Sequence, residues 1–281
     1  MSTEENKKLL QTIAMLEEEL TAARTRMQNL QSDILSNISH DIRTPMNAIV
    51  GFANLLTDEK MKAVERKDCI DHINSHSIEL LGIIDNMIDA SQLQSGNIRL
   101  NYRECYLNDI LDVLHEETSE IHGIKQKRLN LTAVKGEDDD FFIYTDYKRL
   151  KQILYNLIDN AGKFTKRGHI QFGYCKSKNN KVTFFVRDTG EGLGSLNKED
   201  IFRPFNTGKK AMVGDSVKGL GLGLSISKSL VELMSGEMWH ESGPCKGSCF
   251  YFKLPVRKST FLKNTYQHLS TLAKRNIASL F

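Results

Sequence analysis

A histidine, an aspartate and a threonine lie close together in the run Ser39–Pro45. If this run is helical, His40 and Thr44 share one face and Asp41 lies beside them. A neutral imidazole presents one nitrogen lone pair as a nucleophile, and a carboxylate that accepts the other ring N–H fixes the tautomer and raises the basicity. Asp41 is placed to be that carboxylate. The alternative is a surface histidine beside a helical aspartate, and the run alone does not decide between the two.

A second polar group of residues recurs at helical spacing. Asn156, Asn160 and Lys163 stand at positions i, i+4 and i+7, which form one face of a helix. Amide oxygens can coordinate Mg²⁺ and an ammonium can contact a phosphate, so this face suits a metal-bound polyphosphate. A solvated polar face is the alternative. The opposite face of the same helix is wholly apolar, which favours the rim of a binding site.

An aspartate followed by two glycines ends a predicted strand over Val182–Val186. In the sequence these residues are Asp188, Gly190 and Gly192. A carboxylate at a strand end can accept a hydrogen bond from an exocyclic amine such as the adenine N6, while a glycine backbone lets the ligand approach closely. A tight turn is the alternative for this short pattern.

Three glycines at alternate positions surround the start of another predicted helix, Leu222–Met234. They are Gly219, Gly221 and Gly223. Backbone N–H groups at such a helix start can approach phosphate oxygens, and the helix dipole favours the anion. A flexible hinge is the alternative. The basic loop that precedes these glycines, residues 206–218, is predicted to be a lid beside the phosphate site.

Two long helices are expected to position the histidine. Apolar residues alternate in steps of four and three near the N-terminus, which predicts a coiled coil over residues 1–34; a single amphipathic helix on its own domain is the alternative. A second apolar stripe runs from Ile70 to Ile88 and stops near Gly96, and together with the first long helix it predicts an antiparallel helical hairpin over residues 35–97. A hairpin cannot bury both stripes alone. Two copies forming a four-helix bundle, a homodimer, are therefore expected.

Strand-like and helical runs alternate over residues 98–256, which predicts an α/β sandwich with helices on one face of a mixed sheet. A basic tail or linker, residues 257–281, follows this domain. The predicted strands are Ile170–Cys175, Val182–Val186 and Phe250–Leu254, and the predicted helices are Leu107–Ile121, Tyr147–Ala161 and Leu222–Met234.

Composition excludes several classes of protein. Of the 281 residues, 40% are hydrophobic and 26% are charged, which is typical of globular domains and argues against a disordered or fibrous chain. The net charge of +3 is too small to indicate nucleic-acid binding. No apolar run approaches the ~20 residues of a membrane span, so no membrane contact is expected from this chain. The five cysteines lack zinc-site spacing and are predicted to be reduced thiols.

In chain order, these motifs resemble the sensor histidine kinases of bacterial two-component signalling. The run Ser39–Ile49 is similar to their dimerisation and phosphoacceptor module, and Asn156–Thr165 is similar to their Bergerat-type ATP-binding module, which DNA gyrase and a heat-shock chaperone share. The resemblance covers residues 30–256. It implies an α plus α/β fold class: a dimeric helical hairpin followed by a Bergerat-type α/β sandwich. Two departures, Gly162 and Leu220, remove no expected ligand.

The resemblance implies a role for each residue of the motifs. His40 is the phosphorylated side chain, Asp41 orients it, and Thr44 holds the hydrolytic water when such an enzyme acts as a phosphatase. ATP and Mg²⁺ are the implied cofactors, with the metal on Asn160 and the adenine on Asp188. The other implied nucleotide contacts are Asn156 and Lys163 near the triphosphate, Gly190 and Gly192 in the adenine pocket, Gly219, Gly221 and Gly223 along the phosphates, and Phe202 and Phe205 at the lid.

The predicted function is therefore ATP-dependent autophosphorylation of His40, followed by transfer to an aspartate of a response-regulator receiver domain, with phosphatase activity as a second possibility. A catalytically silent ATP-binding scaffold is the alternative, although a scaffold has no use for the His40, Asp41 and Thr44 set. A simple ATPase or chaperone-like switch is a further alternative, against which the helical hairpin argues. The expected location is the cytoplasm, either for this chain or as the cytoplasmic portion of an inner-membrane receptor.

Overall fold

The structure of the chain is a computed structural model. It divides into two compact units, one that runs to Met87 and one that begins at Ile88. The predicted coiled coil, apart from five helical residues, and the predicted tail lie outside the described residues. Among the described helices, none has the length and apolarity that crossing a bilayer requires. The described residues are 15–17, 20–21, 36, 38–58, 60–119, 121–137, 141–177, 180–193, 200–206, 221–242 and 247–256.

The first unit contains a helical hairpin, as the sequence predicts. Helix α1 covers residues 38–55 and helix α2 covers Ala63–Gln94, of which the part from Ile88 onward belongs to the second unit. The two helices pack through stacked rings, with the centroids of Phe52 and His72 4.5 Å apart. Near the connection, the Arg66 guanidinium donates to the carbonyl of Leu56.

Helix α2 ends where the sequence predicts. Gly96 adopts a φ of +66°, the left-handed conformation that glycine takes at low cost. The amide of Asn97 donates to the carbonyl of Gln92 at 3.0 Å, and the amide of Gly96 donates to Leu93 at 3.2 Å. This pair of hydrogen bonds satisfies the last carbonyls of the helix and turns the chain out of it.

The second unit is the predicted α/β sandwich. Its strands are β1 (Tyr102–Tyr106), β2 (Asn130–Val134), β3 (Phe142–Asp146), β4 (His169–Ser177), β5 (Lys181–Asp188), β6 (Glu237–Ser242) and β7 (Ser248–Pro255). Its helices are α3 (Leu107–Ser119), α4 (His122–Lys127), α5 (Tyr147–Phe164) and α6 (Gly223–Leu233), with a 3₁₀ turn at Asp200–Phe202.

Five strands form one mixed sheet in the order β2-β4-β5-β7-β6, and β1 pairs separately with β3. Strands β2 and β4 are parallel, and the other neighbours in the large sheet are antiparallel. Alternate side chains of β5 and β7 are buried, so Phe184 stacks on Phe252 with centroids 4.7 Å apart. Leu150, Leu154 and Leu157 of α5 have no exposed surface, because their helix covers this face of the sheet.

The start of α5 is fixed by a buried polar cluster. The Asp146 carboxylate accepts the amide of Arg149 at 3.1 Å, which caps the helix, and accepts the amide of Asn101 at 2.7 Å. The Arg149 guanidinium donates to Asp89 at 2.8 Å, and Gln152 donates to the other oxygen of the same carboxylate at 2.6 Å. Each charge in the cluster is hydrogen-bonded, so the cluster fixes the helix that carries the predicted metal ligand.

Candidate active site

His40 lies on the surface of α1 with 79% of its side chain exposed. Its Nδ1 is 3.3 Å from Oδ1 of Asp41, the contact that the sequence predicts. When Nδ1 carries the proton and donates to the carboxylate, the Nε2 lone pair remains on the exposed side of the ring. The Thr44 hydroxyl, one turn further along, donates to the carbonyl of His40 at 3.1 Å. The three predicted residues therefore form one group on the hairpin.

The second group lies on α5. Because this helix buries its apolar face against the sheet, Asn156 and Asn160 fall on its half-exposed edge. The Asn156 amide nitrogen is 3.5 Å from the carbonyl of Gly223, which places the asparagine beside the start of α6. Lys163 is exposed, and its ammonium contacts the Asp159 carboxylate at 2.6 Å. In this structure the lysine therefore pairs with its own helix.

Asp188 ends β5 and is only 5% exposed. Its Oδ1 accepts the amide of Gly190 at 2.8 Å and the amide of Ser248 at 3.2 Å. Burial raises the pKa of this carboxyl above its usual range, and the two amide hydrogen bonds oppose the rise. With Oδ1 held by the backbone, Oδ2 is the oxygen that can accept a hydrogen bond from a bound amine.

The chain after Asp188 is compact enough to require glycine. A Cβ on Gly190 would lie 2.5 Å from the Phe164 carbonyl oxygen and 2.9 Å from Asp188 Oδ1. Gly192 adopts a φ of +70°. Glycine at these two positions lets the backbone fold into a tight cradle at the strand end, which a bound ring could approach closely.

We predict that Gly190→Ala lowers the affinity for ATP by about tenfold or more, because overpacking against a backbone carbonyl costs about 1–3 kcal/mol and displaces Asp188. Equilibrium binding of a fluorescent ATP analogue measures the effect. Gly82→Ala is the matched control, since a Cβ at Gly82 meets nothing within 4 Å. Equal losses of affinity in the two variants would refute the assignment of Gly190 to the nucleotide pocket.

The base of the predicted lid is closed by backbone contacts. The amide of Phe205 donates to the carbonyl of Gly221 at 3.2 Å. Gly221 has a φ of +64°, and a Cβ there would lie 2.9 Å from the backbone of Asn206. Phe202 packs edge-on against Phe250 with ring centroids 6.5 Å apart. The residues that lead into the lid are therefore in contact with the sheet, through Phe250, and with Gly221, which follows the lid in the sequence.

Most of the lid itself lies outside the described residues, and so does Gly219. The described positions bring Asn156 and Gly223 together, and they place Asp188, Gly190, Gly192, Phe202, Phe205 and Gly221 in the same unit. His40, Asp41 and Thr44 belong to the hairpin unit. Gly162, one of the two departures from the family pattern, is buried against Ile124 of α4 and leaves the polar edge of α5 unchanged.

Two residues of this region were missed by sequence reasoning. Ser248 contributes a backbone amide to Asp188, and a backbone donor leaves no signal in a sequence. Thr165 follows α5 and is fully buried, and its hydroxyl has no hydrogen-bond partner among the described residues. A buried polar atom of this kind is expected to meet a water or a ligand. In the sequence, Thr165 directly follows the polar residues of α5, and this position was the signal that could have indicated a role in the same site.

The donor set fits ATP with Mg²⁺. Asp188 and the Gly190 cradle suit an aminopurine, and the amide oxygens on α5 are ligands of the kind Mg²⁺ accepts alongside phosphate oxygens. The described residues contain no group of three or more histidine, cysteine or acidic side chains that would hold a metal by themselves.

Two family models match the chain in order. The His Kinase A (phospho-acceptor) domain matches residues 30–96, and the Histidine kinase-, DNA gyrase B-, and HSP90-like ATPase matches residues 145–258.

Individual proteins are similar over most of the chain. The Autoinducer 2 sensor kinase/phosphatase LuxQ of Vibrio vulnificus is 34% identical over 247 residues, 84% of this chain and 27% of LuxQ. The sensor histidine kinase GacS of Pseudomonas protegens is 34% identical over 267 residues, 92% of this chain and 28% of GacS. This chain therefore spans well under a third of these relatives. The crystal structure of full-length ShkA in complex with AMPPNP is 27% identical with a TM-score of 0.58, and the match covers 80% of this chain and 46% of ShkA.

Proposed function

The chain belongs to the sensor histidine kinases, with a phosphoacceptor domain followed by an ATP-binding domain, and from that membership we propose that it phosphorylates its own His40 from ATP. The observation that carries this proposal is the pair formed by His40 Nδ1 and Asp41 Oδ1 on an exposed ring. Asp41 holds the Nδ1 proton, so Nε2 is the nucleophile. Nε2 bonds to the γ-phosphorus, the bond from that phosphorus to the β–γ bridging oxygen breaks, and ADP leaves.

The second unit is proposed to bind the nucleotide. Asp188 Oδ2 accepts a hydrogen bond from the adenine amine, and the cradle at Gly190 and Gly192 fits the ring. Asn160 is the proposed protein ligand of Mg²⁺, which when bound neutralises charge that develops on the transferred phosphoryl group. Asn156 and Lys163 are proposed to lie along the triphosphate, and Lys163 would exchange Asp159 for a phosphate oxygen. The AMPPNP bound to ShkA is consistent with this nucleotide class.

Two further expectations also belong to this proposal: the glycines around the start of α6 (Gly219, Gly221 and Gly223) border the phosphates, and Phe202 and Phe205 anchor the lid. Amide groups at the start of this helix favour an anion. The anchoring is supported by the ring contact of Phe202 with Phe250 and by the hydrogen bond of the Phe205 amide.

We propose that the active form is a homodimer. Large apolar side chains of the hairpin are exposed in the single chain, among them Val50 at 53%, Ile78 at 68% and Leu81 at 60%. A second copy that covers these stripes would complete a four-helix bundle. The phosphoryl group is proposed to pass from His40 to an aspartate of a receiver domain, and the reaction is proposed to take place in the cytoplasm.

One experiment separates this function from the two alternatives. The purified chain is incubated with Mg²⁺ and ATP labelled in its γ-phosphate, and the fate of the label is followed. Label on the protein that acid removes and base preserves supports the kinase. Bound nucleotide without transferred label supports a scaffold, and label released only as inorganic phosphate supports a simple ATPase.

Phosphatase activity toward the receiver domain is proposed as a second activity, in line with the kinase/phosphatase LuxQ. We predict that Thr44→Ala retains autophosphorylation and loses most phosphatase activity, because the Thr44 hydroxyl lies one helical turn from His40 and is proposed to orient the hydrolytic water. Dephosphorylation of a labelled receiver domain measures the effect. Thr57→Ala is the control, since Thr57 also donates to a backbone carbonyl of the hairpin. Full phosphatase activity in Thr44→Ala would refute the role.

A further inference from the structure

The last turn of α5 ends without the glycine stop that closes many helices. Its cap residue, Thr165, is extended, with a φ of −103° and a ψ of 119°, so the chain makes no left-handed bend that would satisfy the last carbonyls. The Thr165 amide donates to the carbonyl of Ala161 at 3.0 Å. The next carbonyls, those of Gly162 and Lys163, lie beyond the reach of the amides of the helix and need donors from elsewhere.

A lysine from another helix supplies those donors. The ammonium of Lys127 donates to the carbonyl of Gly162 at 2.7 Å and to the carbonyl of Lys163 at 3.1 Å. A cation at this place also lies at the negative end of the helix dipole. Burial lowers the pKa of the Lys127 ammonium, and the positive charge of Lys166 lowers it further. Lys166 itself pairs with Glu191 at 3.1 Å. The end of α5 is therefore capped by an ammonium that α4 carries.

The backbone that carries this ammonium is itself fixed. Helix α4 ends at Lys127, and the next residue, Arg128, adopts a left-handed φ of +51°. The amide of Arg128 donates to the carbonyl of Lys125 at 3.2 Å, and the amide of Leu129 donates to the carbonyl of Ile124 at 3.1 Å. These two hydrogen bonds close α4 directly after Lys127.

The approach of α4 to α5 depends on Gly162. Glycine is a poor helix former, so its place in the last turn of α5 is unfavourable unless it serves the packing. A Cβ at Gly162 would lie 2.9 Å from Cγ1 of Ile124, which is only 2% exposed and therefore cannot move aside freely. The missing side chain lets Ile124 pack against α5. It thereby brings Lys127, three residues further along α4, within reach of the two carbonyls.

The capped turn carries part of the proposed nucleotide site. Lys163, proposed to lie along the triphosphate, belongs to this turn, and Asn160, the proposed Mg²⁺ ligand, precedes it by three residues. The carbonyl oxygen of Phe164 abuts the cradle after β5, since a Cβ on Gly190 would lie 2.5 Å from it. If the last turn frayed, Lys163 would move relative to the cradle.

We propose that Lys127 is a positioning residue of the nucleotide site, which holds the last turn of α5 so that Lys163 can meet the triphosphate. Lys127 itself would not contact the nucleotide, because its ammonium is occupied by the two carbonyls. This role rests on the proposed binding of ATP by the second unit. Removing the Lys127 ammonium should therefore weaken ATP binding through Lys163 alone.

The affinity for ATP is measured by calorimetric titration of the full chain and its variants. Lys127→Met is expected to weaken binding about fivefold, the scale of losing a cation at a helix end. Lys127→Arg keeps the charge and the donors and is expected to restore most of the affinity. Lys125→Met is the matched control, because it removes the same charge from an exposed position of the same helix, and it should bind ATP as wild type does. Equal losses in Lys125→Met and Lys127→Met would overturn the proposal.

Gly162→Ala tests the same contact without removing a charge. Its Cβ would displace Ile124 and, with it, Lys127, so ATP binding is expected to weaken about fivefold although alanine favours the helix. Adding Lys127→Met to this variant is expected to cause little further loss. Wild-type affinity in Gly162→Ala would contradict the proposed role of the α4 contact.

A double-mutant cycle with Lys163→Met tests the route of the effect. If Lys127 acts through Lys163, Lys127→Met causes little further loss of affinity in a Lys163→Met chain. The full loss in that background would mean that Lys127 acts by its own charge or by destabilising the fold, and would overturn the proposal, as would equal affinity in wild type and Lys127→Met. A wild-type chain that binds no ATP at all would instead refute the proposed function, and this inference with it.

Discussion

His40→Gln is expected to abolish autophosphorylation while ATP binding is retained. Glutamine offers an amide nitrogen without a nucleophilic lone pair, so no phosphoramidate can form at this position. The expected loss is on the order of 10³-fold or more, as for removal of a nucleophile in other enzymes. Because the ring is 79% exposed, the substitution should leave the fold and the melting temperature unchanged.

A second histidine of the hairpin provides a matched control. His76 also pairs with a carboxylate, with Nδ1 3.0 Å from Oε2 of Glu79, but only 19% of its side chain is exposed. His76→Gln should retain autophosphorylation, because its ring is not presented to solvent as His40 is. Transfer of label from γ-labelled ATP measures both variants. If the label persisted in His40→Gln and disappeared in His76→Gln, His76 would be the phosphorylated residue and the assignment to His40 would be wrong.

Asp188→Asn is expected to lower the affinity for ATP by about 100-fold, or about 2.7 kcal/mol. The asparagine oxygen can still accept the amides of Gly190 and Ser248, so the local backbone is preserved. Its NH₂ group then replaces Oδ2 and points a donor at the adenine amine, which is itself a donor. Calorimetric titration with ATP measures the loss.

The raised pKa of Asp188 supplies a check that the effect is local. Burial disfavours the charged carboxylate, so the stability linked to this group is greatest when it is protonated and is lost as the pH rises through its raised pKa. At neutral pH, Asp188→Asn should therefore unfold at the same temperature as wild type or a higher one. Asp112→Asn, at an exposed pair with Lys135, is the control and should bind ATP normally. Unaltered affinity in Asp188→Asn would remove Asp188 from the adenine site.

The long elements could be predicted from sequence because burial imposes a strong period on them. Helix α5 alternates a fully buried face with a polar edge, and its predicted start at Tyr147 is the observed one. Its predicted end at Ala161 falls short of Phe164 because the last turn carries little apolar signal. The glycines at 190 and 221 could be recognised because each occupies a position that a Cβ would obstruct.

Other parts of the fold gave no such signal. Strands β1 and β3 have five residues each and pair only with each other, so they were not predicted. The sequence predicts that Lys163 contacts a phosphate, whereas its ammonium pairs with Asp159 one turn away. The partner that a lysine takes on its own helix depends on its rotamer, which the sequence does not specify. The pairing of Phe185 with Tyr251 and of Tyr251 with Trp239 depends on register across three strands, which no single strand reveals.

The central claim is that the terminal phosphoryl group of ATP is transferred to His40. It is tested most directly by locating the modified residue in the wild-type chain. After incubation with ATP and Mg²⁺, the protein is digested with trypsin at alkaline pH and the peptides are sequenced by mass spectrometry. Residues 27–43 form one tryptic peptide, in which His40 is the single histidine. A phosphoryl group on His40 in that peptide is the predicted result, and a fully unmodified peptide alongside bound or hydrolysed ATP would contradict the account.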